Sequence, residues 1–242
     1  LRVCWEGFQF SFLYNVRAPD KKEFFGSSDA HTVEHRISQF YWTGLPHCPI
    51  PRTKVFPQSD AVESVARAVK DKGITAGEPY AVLQPGARLA TMRWPAEKFA
   101  EIARWLRKSH GISSVVNVGL RDDEIAASVR RAMSDCAVTT DSFDARQLIA
   151  LIAGARLFVG NDSGPAHIAA AADRPSVVIF GSTNPSEWRP WQTEHRIVHT
   201  NAVFESRRGD KSVAVSEERA IAAISVDEVR AACEEMLAAG RA

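Results

Sequence analysis

From about Tyr80 onward, short apolar runs alternate with longer stretches whose apolar residues recur every three or four positions. The runs read as strands and the stretches as amphipathic helices. Strands are predicted over Tyr80–Leu83, closed by Pro85-Gly86, and over Ser114–Val118, ending at Gly119. Others follow over Ala137–Thr140, Arg156–Val159 and Ser176–Phe180, the last ending at Gly181, with a shorter one over Arg196–Val198. Pro95 starts a helix that puts Phe99, Ile102, Ala103 and Leu106 on one face. Asp122–Met133 reads as a helix with acidic residues in its first turn, where the helix dipole favours them. Asp144–Ala153 is a helix closed by Gly154, and Ser225 caps a final one through Val229, Cys233 and Leu237. Strands this continuously apolar have no wet face. Alternating with helices, they imply an α/β protein with a parallel sheet covered on both sides. Ligands of such sheets bind at the carboxyl ends of strands. The turns after Leu83, Val118, Val159 and Phe180 all fall on that edge.

Residues 1–79 follow a different pattern. Leu1–Asn15 is aromatic and mixed, and Asp29–Tyr41 predicts a helix with Val33, Ile37 and Phe40 on one side. A stretch holding Pro46, Pro49, Pro51 and Pro57 resembles a linker, and Ala61–Lys72 predicts a further helix. So few clear strands are thin for an independent α/β domain. The expectation is therefore the closing part of an N-terminal domain and a linker over 1–79, then a Rossmann-like domain over 80–242.

Bulk properties narrow the class. The net charge of +1 supplies no strong field toward nucleic acid or an anionic membrane. No apolar run approaches the ~20 residues that a spanning helix takes. Cys4, Cys48, Cys136 and Cys233 form no CxxC pair and no Cys/His metal spacing, and read as reduced cytosolic thiols.

The most informative segment is GNDSGPAH, Gly160 to His167, between the apolar Leu157-Phe158-Val159 and the Ala-rich Ile168–Ala172. It reads as strand, tight turn and helix start. Asp162, Ser163, Gly164 and His167 thus gather at a helix N-terminus, whose unpaired N–H groups and partial positive charge suit an anion. Asp162 alone is also explained as a helix N-cap. Gly164 permits close approach of a ligand to the backbone. A serine-nucleophile reading fails, because no G-x-S-x-G elbow is present and the setting is not all-β. Arg88 and Arg93 flank the next helix start and suit bidentate phosphate recognition, or are solvated surface arginines. Asp122, Asp123 and Glu124 follow a strand end, where a carboxylate can accept from ribose hydroxyls or simply serve the first helical turn.

Together these segments resemble glycosyltransferase family 9, the ADP-heptose:lipopolysaccharide heptosyltransferases. The likeness rests on QPGA…MRWPAEKFAEIARWL, NVGLRDDE, SFDARQLIALIAGARLFVGNDSGPAHIAAAADRPSVVIFGSTNP, Trp188-x-Pro190 and ISVDEVRAACEEML. It is good over 80–240 and weaker through RVCWEGF and HTVEHRISQF. The resemblance implies a glycosyltransferase-B fold whose C-terminal domain binds a nucleotide-sugar donor, with ADP-heptose expected. It implies transfer with inversion, without a metal or cofactor, to a lipopolysaccharide core or related lipid-linked glycan. The setting is cytoplasmic, with peripheral contact at the inner membrane face. It assigns Asp162, Ser163, Gly164 and His167 to the donor's pyrophosphate and sugar, Asp123 or Glu124 to the nucleoside, and Phe143 to the base. The expected catalytic Asp lies in a Gly-Asp turn upstream of Leu1. The family's usual phosphate-binding Lys is replaced by Met92, for which Arg93 or Arg88 is the expected substitute. The alternative is a nucleotide-sugar-binding module without turnover.

Overall fold

The computed structural model describes residues 2–5, 9–19, 21–26, 30–75, 77–118, 124–140, 143–200 and 211–239. The chain divides into two compact units, 1–52 with 184–189, and 53–183 with 190–242.

The first unit holds two three-residue parallel strands, β1 (Val3–Trp5) and β2 (Val16–Ala18). It also holds α1 (Lys21–Phe25) and α2 (Thr32–Trp42). The start of α2 is set by His31, an unusual capping residue. Its Nδ1 accepts from the Val33 N–H at 3.1 Å, while Glu34 accepts from the His31 N–H at 2.8 Å. The reciprocal pair forms a capping box. The other ring nitrogen of His31 lies 2.8 Å from the Arg189 carbonyl, just after the short helix α8 (Pro185–Trp188).

The second unit opens with α3 (Ser59–Lys70). Six strands follow: β3 (Tyr80–Gln84), β4 (Ser113–Asn117), β5 (Val138–Thr140), β6 (Leu157–Asn161), β7 (Ser176–Phe180) and β8 (His195–His199). The helices of this unit are α4 (Ala96–His110), α5 (Glu124–Ala132), α6 (Ala145–Ala153), α7 (Gly164–Ala171), α9 (Lys211–Ala223) and α10 (Val226–Ala239). All strand pairs are parallel, in the order β5-β4-β3-β6-β7-β8. The order runs outward in one direction from β3 and in the other from β6. The reversal therefore lies between these two central strands, where Gln84 pairs with Gly160.

Alternate residues of each strand feed two separate cores. Leu83, Val116, Val159 and Ile179 pack with α4 and α10, among other elements, on one face. Val82, Val115, Phe158, Val178 and Phe180 pack with α3, α6 and α7 on the other. This double burial explains why the strands read as unbroken apolar runs. The helix α3, grouped with the first segment by the sequence pattern, buries Ala61, Val65 and Val69 in the second of these cores.

Helix boundaries have local causes. Asp144 caps α6 by accepting from the Gln147 N–H at 2.8 Å, and Gln147 returns the bond to the Asp144 N–H. Gly111 ends α4 in the left-handed conformation at φ 66°, which glycine adopts without penalty. Ser225 caps α10 as expected: its Oγ accepts from the Glu228 N–H at 3.2 Å.

Candidate functional site

Sheets with such a central reversal of strand order hold ligands beside it, at the carboxyl ends of the strands. Three segments meet there: the Pro85–Trp94 loop after β3, the Asp162-Ser163-Gly164 turn after β6, and the Gly181–Thr183 turn after β7.

Asn161 ties the first two together. It is fully buried, with 0% exposure. Its Nδ2 donates to the Pro85 carbonyl at 2.6 Å, and its Oδ1 accepts from the Trp94 N–H at 3.1 Å. One amide thus fixes both ends of the loop. Thr91 ties the loop to the third segment, with its hydroxyl 2.9 Å from that of Ser182. A Cβ on Gly181 would run into the Thr91 carbonyl, so glycine is what lets the two turns close.

Asp162 does not cap α7, contrary to the simpler reading of its position. The β6 strand runs through Asn161, and the Asp162 N–H still donates to the Ile179 carbonyl of β7 at 3.0 Å. The N-cap position therefore falls on Ser163, which makes no side-chain capping bond. The Ser163 hydroxyl instead donates back to the Asn161 carbonyl at 3.1 Å. Helix α7 begins with Gly164 exposed, with open space where a Cβ would stand. Asp162 turns toward Thr183, whose hydroxyl donates to its Oδ2 at 2.6 Å. Burial raises the Asp162 carboxyl above its usual range, against the pull of Thr183 and of the nearby His167. Burial lowers His167 below its ordinary value, against the pull of Asp162. Both groups are thus held where their charged forms are disfavoured, a common condition of ligand sites.

The loop arginines differ. Arg88 is exposed. Arg93 is committed to the loop: its Nε donates to the Ala87 carbonyl at 2.8 Å and its Nη2 to the Arg88 carbonyl at 3.1 Å. Met92 is buried. Trp94 is buried too, its indole N–H donating to the Ile224 carbonyl at 3.0 Å. Glu124 is exposed at the start of α5, and Phe143 is buried in the core formed with α3 and α6. Asp123 lies outside the described residues, as do Gly119 and Asp122. Asp162, Ser163, Gly164 and His167 therefore come together, with the Arg88–Arg93 loop beside them. Glu124 and Phe143 follow β4 and β5, farther along the same edge.

Sequence reasoning missed Asn161 as a bridge and Thr183 as the partner of Asp162. Gln84, the first residue of the QPGA segment, has a buried Oε1 with no hydrogen-bond partner among the described residues. The NDSG…GST string contained the first two, but nothing local signals contacts 67, 76 or 21 residues apart. No three His, Cys, Asp or Glu side chains are grouped as a metal site among the described residues.

A six-stranded parallel sheet with this strand order, flanked by helices on both faces, defines a Rossmann-like unit. The sequence signature of glycosyltransferase family 9 (heptosyltransferase) matches residues 28–213, and the chain belongs to that family. It is 31% identical over 165 residues to lipopolysaccharide heptosyltransferase 3 of Escherichia coli K12, covering 66% of this chain and 47% of that protein. The chain spans about half the length of the curated relatives it matches. Two solved structures share the fold. A glycosyl transferase family 9 protein from Veillonella parvula superposes with TM-score 0.80 at 21% identity, over 95% of this chain and 65% of that one. The E. coli ADP-heptose lps heptosyltransferase II superposes with TM-score 0.74 at 23% identity, over 99% and 70%. The α/β, glycosyltransferase-B-type fold expected from the sequence is thereby established.

Proposed function

We propose that this chain carries the donor-binding part of a glycosyltransferase that moves a heptose-like sugar from ADP-heptose or a close analogue to a lipopolysaccharide-type glycan. One observation carries the reading: in a member of this family, Asp162, Ser163, Gly164 and His167 converge at an uncapped helix start on the strand-order reversal. The open N–H groups of α7 take the donor's diphosphate, with backbone approach allowed by Gly164. Thr183 occupies Oδ2 of Asp162 and leaves Oδ1 to accept from a sugar hydroxyl. His167, neutral at physiological pH, bonds to phosphate or sugar. Glu124 or Asp123 takes the ribose and Phe143 flanks the base.

The reaction is a single displacement with inversion. The acceptor oxygen bonds to the anomeric carbon as the bond to the nucleotide phosphate breaks. The departing diphosphate carries the electron pair, met by the helix terminus and by Arg88 rather than by a metal. Arg88 is the better candidate for the phosphate role lost at Met92, because Arg93 already spends its guanidinium on the loop. The acceptor hydroxyl gives its proton to a general base as the new bond forms. The acceptor is a lipid-linked glycan, reached from the cytoplasmic side by peripheral contact.

The test is transfer by the full-length protein, given ADP-heptose and a lipopolysaccharide inner-core acceptor. Product formation with inverted anomeric configuration, read by NMR, is expected. Donor binding with no product would leave a nucleotide-sugar-binding module and overturn the transferase reading. The burial of Met92 is the observation that favours that alternative.

A further inference from the structure

A cavity lies on the opposite edge of the sheet from the candidate site. Its volume is about 480 Å³, within the range of small-ligand sites. It opens where β4 and β5 begin, whereas the site above lies where β3 and β6 end. A five-residue strand spans ~16 Å, so the two cannot share a ligand-binding crevice.

The walls are cationic. Lys72 follows α3, and Arg104, Arg107 and Lys108 come from α4. Asp135 lines the cavity as well, and it holds Arg104 through bonds of 3.0–3.2 Å. Behind Arg107, Glu78 accepts from its Nη1 at 2.8 Å and from the Ser113 hydroxyl at 2.5 Å. The bonds from Ser113, Thr75 and Arg107 hold the Glu78 carboxyl down to about 2. Glu101, one turn before Arg104 on α4, also acts on that guanidinium. These carboxylates aim the two guanidiniums without occupying Lys72 or Lys108, which have no carboxylate partner among the described residues. The cavity wall includes Ser114, 3% exposed, whose hydroxyl has no hydrogen-bond partner among the described residues.

We propose that this cavity binds a phosphate ester of phosphosugar size, separately from the nucleotide-sugar site. The ammonium groups of Lys72 and Lys108, with the Arg107 donors that Glu78 does not take, match a phosphate dianion. The volume leaves room for the ring it carries.

Calorimetric titration of the full chain, saturated with ADP, tests this with glucose 6-phosphate, inorganic phosphate and phosphatidylglycerol vesicles as probes. Saturable glucose 6-phosphate binding is expected, at least tenfold weaker in the Lys72→Glu/Lys108→Glu double variant, with ADP affinity unchanged. Both residues are exposed, so the variant should fold. Inorganic phosphate binding as tightly as the ester would support the site and identify free phosphate as its ligand. Equal binding by wild type and variant, loss of binding when ADP is present, or binding to vesicles alone would each overturn the proposal.

Discussion

Replacing Asn161 by Ala removes both ends of the bridge between β6 and the Pro85–Trp94 loop. The Pro85 carbonyl and the Trp94 N–H are buried and lose bonds of 2.6 and 3.1 Å. Each buried group left unpaired costs about 1–3 kcal/mol, so the change should destabilise the sheet unit by about 2–5 kcal/mol. Substituting an exposed polar residue typically shifts stability by less than about 0.5 kcal/mol. For a chain of this length the loss corresponds to a fall of about 5–15 °C in Tm. Urea unfolding followed by circular dichroism and tryptophan fluorescence measures it. Asn161→Asp should be no better than Asn161→Ala. It keeps an acceptor for Trp94 but sets a buried carboxylate against the Pro85 carbonyl. A loss under about 1 kcal/mol for Asn161→Ala, or a well-folded Asn161→Asp, would refute the bridge.

Three further outcomes follow from the packing and the charges. Lys98 donates to the Ala222 and Ile224 carbonyls at 2.7 Å each, closing the end of α9, while its ammonium sits 5.9 Å from the Trp94 ring. Lys98→Met should keep the stem packing but cost about 1–3 kcal/mol; unchanged protease resistance of α9 would contradict this. Gly181→Ala should lower soluble yield or Tm sharply, because the Thr91 backbone occupies the space that a Cβ needs; a wild-type melting curve would contradict the close approach. His167 is lowered by burial, so on acidification the unfolded chain takes up its proton first and the fold loses stability as pH falls through the ordinary histidine range. His167→Gln should therefore flatten the decline in urea midpoint between pH 7.5 and 5.5, and parallel profiles would count against the assignment. Asp162 runs in the opposite sense: its raised carboxyl favours the fold at low pH and loses that advantage as pH rises.

The sheet was legible because its strands are buried on both faces. Val115-Val116, Leu157-Phe158-Val159 and Val177-Val178-Ile179-Phe180 leave no other assignment once helical stretches separate them. Ser225 was legible as a cap, and its partner Glu228 sits three residues on, whereas Asp144, read as the first helical residue, is the cap of α6. β1 and β2 are three residues each, too short to show a period. The start of α2 rests on a histidine cap that propensity does not favour. α9 lacks a helical stripe strong enough to announce it. At the site, the octapeptide was visible as a unit, but the direction of Asp162 was not. That direction depends on β6 continuing through Asn161 and on Thr183 arriving from β7. The fixing of Arg93 to its own loop and the burial of Met92 likewise depend on a tertiary fold that residue type does not encode.

The account rests on Asp162 holding a nucleotide-sugar at the strand-order reversal. Titration of this chain with ADP-heptose, wild type against Asp162→Ala, tests it most directly. The account predicts saturable binding that weakens at least tenfold in the variant, while the urea midpoint stays level or rises, since a buried carboxylate has been removed. Equal affinity in the two proteins would contradict it.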